Sequence, residues 1–293
     1  MLLLTTAMAV TFGSQPKPLK TWKVICSFRP TKEVQTAFFA RSQDDKEHGK
    51  EWSIHWIEDA KGDKINLDYY PVRIRQLPTV DGKKWTPAQL LKHVRLNVNE
   101  FVNTDLVSFA PYKDQDKTKW QSDDPAGSII LLDIFVYNSE AVKVIDKACL
   151  LCSMSNDQLW RFSTIRAGSG TTAVNNPDNP GAHPVSGNRE FGYFKGPGEG
   201  VYTFYTIGAD RATRPADAFF NVDGLDETGF NIADELWKRL QSKIADYVNA
   251  NGGKAEVVAP TVMRPEWDDV KDSKELFDTT GEPKRYSRSE LGF

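Results

Sequence analysis

The chain has 293 residues, 40% of them hydrophobic and 26% charged, with 37 Lys and Arg against 40 Asp and Glu. That balance excludes collagen-like and low-complexity chains, and no apolar run approaches the roughly 18 residues of a membrane-spanning helix. A net charge of -3 excludes an extended, uniformly basic nucleic-acid binder while leaving room for a local basic cleft.

Met1 to Val10 is apolar and carries an Ala7-Met8-Ala9 triplet but no basic region, so it reads as an N-terminal strand or arm rather than a cleavable signal. Residues 20–75 read as β structure. Trp22 to Phe28 and Glu51 to Ile57 nearly alternate and are dense in aromatics. Asp59-Ala60-Lys61-Gly62-Asp63 then makes a turn into Ile65 to Tyr70, which predicts a hairpin. Thr86-Pro87 opens a helix over 86–103, with Leu90, Leu91, Val94, Val98, Phe101 and Val102 on one face. Residues 111–127 read as a charged loop. The apolar run 128–137 predicts a central strand buried on both faces, whose lone Asp133 needs a partner.

Cys26, Cys149 and Cys152 are too few for a disulfide scaffold. Cys149-Leu150-Leu151-Cys152 has the spacing of a redox pair or half a zinc site, but no second ligand pair exists. Buried, inert thiols are the expectation, with no metal and no cofactor. Trp160 to Arg166 is a period-two strand, followed by a Gly-, Asn- and Pro-rich loop from Ala167 to Gly187. A hairpin over 189–207 turns at Gly196-Pro197-Gly198-Glu199-Gly200. A second helix, 231–250, carries Ile232, Leu236, Leu240, Ile244, Tyr247 and Val248 as its stripe with Trp237 beside it, and stops at Gly252-Gly253. A strand, 255–259, follows. The expected architecture is α+β: a mixed or antiparallel twisted sheet packed by two amphipathic helices. It forms one domain over 1–263, β-rich at 20–75, with a polar extension over 264–293.

Reactive side chains concentrate between 160 and 215, which is locally basic. The hairpin brings its two open ends together, so His183, Asn188, Arg189 and Glu190 should approach Asp210, Arg211 and Arg214. A carboxylate, an imidazole and several guanidiniums suit metal-free cleavage or transfer at a phosphate. Glu190 would be the base and His183 the acid, with Arg211 as the third catalytic group. Arg189 and Arg214 would complete a phosphate clamp, and Phe191, Tyr193 and Tyr205 would offer stacking surface. The plainer reading is that Arg189 with Glu190 and Asp210 with Arg211 are ordinary ion pairs pinning a loop to a sheet. Nucleotide-binding loops, zinc-protease and serine-hydrolase motifs are absent from the sequence. Phe162-Ser163-Thr164 beside Arg161 is similar to the Ser-Thr strand of ADP-ribosyltransferases, but their downstream Glu-x-Glu is missing.

The stretches 77–82, 160–165, 183–193 and 202–211, above all His183-Pro184-Val185-Ser186-Gly187-Asn188-Arg189-Glu190-Phe191-Gly192-Tyr193, resemble uncharacterised bacterial effector domains associated with Rhs- and VgrG-like secreted proteins. The resemblance spans about residues 65–250. It implies synthesis in a bacterial cytoplasm followed by export or injection, a secretion or injection apparatus as partner, and an immunity protein. The enzymatic expectation is a toxin-like effector acting on a nucleotide or nucleic-acid phosphate. The alternative is a non-enzymatic cargo or binding module.

Overall fold

Residues 22–27, within the 22–28 run whose alternation predicts a strand, are helical. In the computed structural model, which describes residues 17–47, 49–138, 143–168, 181–213, 228–277 and 285–293, helix α1 is Lys23–Ser27 and α2 is Lys32–Ser42. Trp22, Ile25 and Cys26 are all buried while Val24 is exposed, a spacing of three and four that fits a helix and breaks the alternation of a strand. Packing decides between them, because these three sit beneath the sheet against Ile65, Leu67 and Ala209. Thr31 caps α2 by accepting from the Val34 N–H at 3.4 Å.

Strand β1 is Ser53–Ile54, β2 is Ile65–Gln76, β3 is Thr79–Val80 and β4 is Lys83–Lys84. The hairpin expected between residues 51–57 and 65–70 does not form. β1 pairs instead with residues 165–166, and β2 pairs with 202–211. Helix α3, Pro87–Leu96, begins with the expected Thr86 cap, reinforced by Gln89 reaching back to the Thr86 N–H at 2.8 Å. It breaks at Asn97, whose side chain bonds back to the His93 carbonyl at 2.9 Å, and resumes as α4, Val98–Phe101.

β5 is Val107–Pro111, and α5, Asp114–Gln121, occupies what reads as loop in the sequence. Its buried Trp120 lies 5.6 Å from Phe162, ring to ring, which supplies packing that its polar sequence does not announce. β6 is Ile129–Asn138, β7 is Lys143–Asn156, β8 is Leu159–Ala167 and β9 is Gly181–Ala182. β10 is Val185–Lys195 and β11 is Tyr202–Ala212, the expected hairpin extended at both ends. α6 is Thr228–Ala250, β12 is Lys254–Val257, β13 is Thr261–Met263 and α7 is Trp267–Val270.

Among the described residues the strands form an eleven-stranded sheet in the order β12-β2-β11-β10-β8-β7-β6-β5, with β1 and β9 on β8 and β13 on β2. Its pairings are antiparallel. The chain is therefore α+β. Ile130, Leu132 and Ile134 of β6 are buried on the α6 face, whereas Leu131 and Asp133 on the other are only half-buried, and the strand stands next to the β5 edge rather than at the centre. Asp133 finds its partner in Lys147, directly across the β6–β7 ladder.

One face of the sheet carries α6. Leu236, Trp237, Leu240, Ile244 and Val248 pack on Tyr70, Val72, Ile74, Phe191 and Phe204, each large apolar side chain contributing about 1.5–3 kcal/mol. The other face is covered by α1 with Val270 and Leu276, and farther along by Phe38, Phe39 and Trp52. The described residues after 264 are thus tied to the body, and Arg285 pairs with Glu58 and Asp59. Cys149 and Cys152 point to opposite faces, one packed with Phe38 and the other with Phe162. They are free thiols and share no site. Burial pushes the thiols of Cys26 and Cys149 up and that of Cys152 up to about 12, so none is a ready nucleophile.

Candidate functional site

Alternation along the β10–β11 pair divides the reactive side chains between two faces. Arg189, Phe191 and Tyr193 face α6, as do Phe204 and Asp210. Asn188, Glu190, Tyr205 and Arg211 face α1 and the C-terminal segment. The hairpin does juxtapose its ends, with Ser186 opposite Arg211 and Gly187 opposite Asp210. Juxtaposed backbone is nevertheless not a shared cleft.

On the α1 side, Glu190 accepts from Arg161 Nε at 2.9 Å and again from Arg161 Nη2, while the Tyr205 hydroxyl donates to its other oxygen at 2.6 Å. Arg161 also stacks on Phe28, 4.0 Å from the ring centre. Arg211 donates to the carbonyls of Ile57 at 2.8 Å and Gly62 at 2.7 Å, and its guanidinium lies 3.8 Å over Trp267. Burial lowers its pKa to about 10, still far above neutral. Glu190 stands opposite Ile207 and Arg211 opposite Ser186, so the two are four ladder positions apart, about 13 Å. Asn188 spans from the Ser163 hydroxyl to the Ile25 carbonyl. These groups are committed to one another and to backbone, though not in the pairs Arg189–Glu190 and Asp210–Arg211 that the plainer sequence reading names. Arg214 lies outside the described residues.

The stacking surface is likewise split. Tyr193 packs on Phe204 at 5.2 Å on the α6 side, and Tyr205 on Tyr69 at 5.8 Å on the other. Glu190 pairs with Arg161 rather than with its sequence neighbour Arg189, because adjacent strand residues point apart.

On the α6 side lies a cavity of about 120 Å³, bounded by β5 to β8, β10, β11 and the first turns of α6. Val107, Phe109, Leu132, Ile134, Phe162 and Leu236 make its apolar walls. One end is polar: His183, Arg189, Asp210 and Trp237 also line it. A wider depression beneath α4 and α5 shares Phe109 and Phe162 but is lined by no buried charge.

The polar end is the surface of a buried network. Arg189 donates to both oxygens of Asp68, at 2.8 and 2.6 Å, and lies 3.7 Å from Asp210. Asn66 donates to Asp68 at 2.9 Å and accepts from Arg264 at 3.2 Å. Arg264 pairs with Asp234 of α6 at 2.7 Å, which also accepts from the Tyr70 hydroxyl at 2.7 Å. The guanidinium of Arg189 stacks 4.3 Å over the Trp237 ring. Burial, partly offset by Arg189, raises the Asp210 carboxyl to about 7. For Arg189 itself burial disfavours the charge, but Asp68 and Asp210 outweigh it and the pKa is raised. His183 Nδ1 sits 3.1 Å from the Val185 N–H, and burial, with His55 nearby, lowers its pKa to about 3. A neutral imidazole at neutral pH is no reservoir for a general acid.

Asp68, Trp237, Asp234 and Arg264 are the members that the sequence reading omits. Their one sequence signal is Gly208, in mid-strand where a glycine marks a close approach. A Cβ there would meet Arg189 Nη2 at 2.2 Å.

No known protein family matches the sequence, and no curated protein matches it. Solved structures overlap it in part. Ara h 8.0201 does so at a TM-score of 0.36 and 10% identity, over 63% of this chain and 99% of its own. The Zhui aromatase/cyclase from Streptomyces sp. R1128 overlaps at 0.33 and 12%, over 63% and 94%. A conserved protein from Geobacillus kaustophilus overlaps at 0.29 and 11%, over 65% and 99%.

Proposed function

We propose that this protein binds a small, largely apolar molecule between α6 and the sheet. The observation that supports the reading is the cavity: apolar walls closed at one end by buried, charged groups. Ligand sites generally combine many apolar contacts with a few placed polar ones that orient the guest. A volume of about 120 Å³ limits an unrearranged guest to one ring or a short chain, since cavities near 150 Å³ take up benzene. Asp210, with a carboxyl near half-protonation at neutral pH, gives the same site a group able to exchange a proton with what it binds.

The leading expectation from the sequence, a phosphate-directed effector, requires Glu190 and Arg211 to be available to a substrate. The bonds from Arg161 and Tyr205, and those to the carbonyls of Ile57 and Gly62, favour the binding reading instead.

Toluene titrated into the full chain, followed by methyl resonances, tests the proposal. Saturable shifts at Val107, Leu132, Ile134 and Leu236 are expected, and are lost in Leu236→Trp, which fills the space. Absence of shifts up to the solubility of toluene sinks the reading.

A further inference from the structure

The charges at the polar end of the cavity do not sum to zero. Among the described residues the network holds three carboxylates, Asp68, Asp210 and Asp234, and two guanidiniums, Arg189 and Arg264. Each guanidinium has a carboxylate of its own. Arg189 places both terminal nitrogens on Asp68, and Arg264 pairs with Asp234. Tyr70 stays neutral because burial pushes its hydroxyl up, and His183 stays neutral because burial lowers its pKa to about 3. Asp210 is the carboxylate left over. Its nearest guanidinium nitrogen, Arg189 Nη2, is 3.7 Å away, beyond hydrogen-bond length. Burial therefore raises its carboxyl to about 7, Asp68 adding to the rise while Arg189, Asn66 and Arg264 offset only part of it.

The same carboxylate is the one within reach of a guest. Of the three, Asp210 alone lines the cavity. Its side chain keeps 12% of its surface accessible, whereas that of Asp68 keeps none. It lies two residues from Gly208 on β11 and so shares the α6 face with Arg189, the face on which the cavity opens.

Resting on the binding reading above, we propose that the guest of this cavity is a small apolar amine, held as its ammonium ion with the charge on Asp210 and the hydrocarbon part among Phe109, Leu132, Ile134 and Leu236. The ammonium brings the network to neutrality and donates to carboxylate oxygens that lack a close cation. Leaving water is costly for any ion, and the cost is met only where an unpaired opposite charge waits. An anion would enter a site that already carries an excess negative charge. A neutral guest would leave Asp210 to hold its own proton.

Benzylamine, benzyl alcohol and benzoate share a ring and a near-equal size but carry positive, zero and negative charge. They are titrated into the full chain at pH 7.5 and followed by the methyl resonances of Leu132, Ile134 and Leu236. Benzylamine is expected to bind about tenfold tighter than benzyl alcohol, the equivalent of about 1.4 kcal/mol, and benzoate most weakly. Asp210→Asn removes the advantage of the amine and keeps the binding of benzyl alcohol and toluene. A second readout needs no variant. An ammonium ion docking on Asp210 displaces the carboxyl's proton, so calorimetry at pH 6 in two buffers of different ionisation enthalpy reports release of about one proton per benzylamine bound. Benzyl alcohol or benzoate binding as tightly as benzylamine, or benzylamine binding without proton release, overturns the amine assignment while leaving the cavity reading intact. Failure of all three compounds and of toluene to bind overturns the cavity reading itself.

Discussion

Arg189 reaches Asp68 by crossing Gly208. The register places Gly208 of β11 directly between them, opposite Arg189 on one side and Asp68 on the other. The guanidinium occupies the space where any other residue would carry a Cβ, closing to 2.2 Å of that point. Asp68 is fully buried, so this one bridge decides whether its charge is compensated.

Gly208→Ala is therefore expected to displace Arg189 and to cost about 3–5 kcal/mol, as does Arg189→Ala, each leaving a buried carboxylate without its cation. In the Arg189→Ala background the glycine substitution should add little, because nothing remains to be displaced. A double-mutant cycle from urea unfolding measures this coupling. Additive losses would show that Gly208 serves a purpose other than making room.

The two perturbed groups of the cavity act oppositely on stability. Asp210, raised to about 7, binds a proton more tightly folded than unfolded. Its contribution is complete in acid and is lost as pH rises from about 4 to 7. His183, lowered to about 3, binds its proton less tightly folded. Its contribution is complete above about pH 6.5 and is lost as pH falls toward 3. Between pH 4.5 and 6.5 the two slopes offset each other. Relative to wild type, Asp210→Asn should tilt the curve upward with pH and His183→Gln downward, each by at most about 1.4 kcal/mol per pH unit. Urea midpoints at pH 4.5, 5.5 and 6.5 read the tilt, and parallel curves for all three proteins would contradict both assignments.

Glu190 holds Arg161 and Tyr205 beneath α1. Glu190→Gln leaves a buried guanidinium without its counter-charge and should cost about 3–5 kcal/mol. Tyr205→Phe removes one hydrogen bond to a charged acceptor and should cost about 1.5–3 kcal/mol. Toluene binding by folded Tyr205→Phe should be unchanged, since the hydroxyl lies on the face away from α6. A loss of binding there would place Tyr205 in the site.

Native protein should react with Ellman's reagent at none of its three thiols on the timescale of minutes, and at all three in urea. Mild oxidation should not join Cys149 to Cys152, which face opposite sides of the sheet. Fast labelling of one thiol in the native state would disprove the packing assigned to it.

Much of the fold is legible in periodicity. The 128–137 run, the 160–166 alternation, the hairpin and the stripe of α6 all appear where their apolar pattern places them. α1 escapes because the near-alternation of the 22–28 run masks the three-and-four spacing of Trp22, Ile25 and Cys26, and α5 because Trp120 carries its packing almost alone. The site is legible as a region and not as an arrangement. A hairpin brings 183–190 beside 208–214, but one residue of parity sends Arg189 toward α6 and Glu190 toward α1. The partners that complete the network, Asp68 and Trp237, lie 121 and 48 residues from Arg189 in sequence. No local pattern encodes separations of that size.

β2 has a further consequence for how the chain comes into being. Its neighbours in the sheet are residues 202–212, 254–257 and 261–263, all synthesised long after it. While the ribosome is still making the middle of the protein, residues 65–76 have neither ladder partner. An unpaired strand of twelve residues, with Ile65, Leu67, Tyr69, Tyr70, Val72 and Ile74 among them, is the kind of edge that seeks strands of other molecules. Arg264, which completes the cavity's charge network, is later still. The pocket is thus assembled last, and its burden on the cell falls during synthesis, when the emerging chain needs shielding that the finished protein does not.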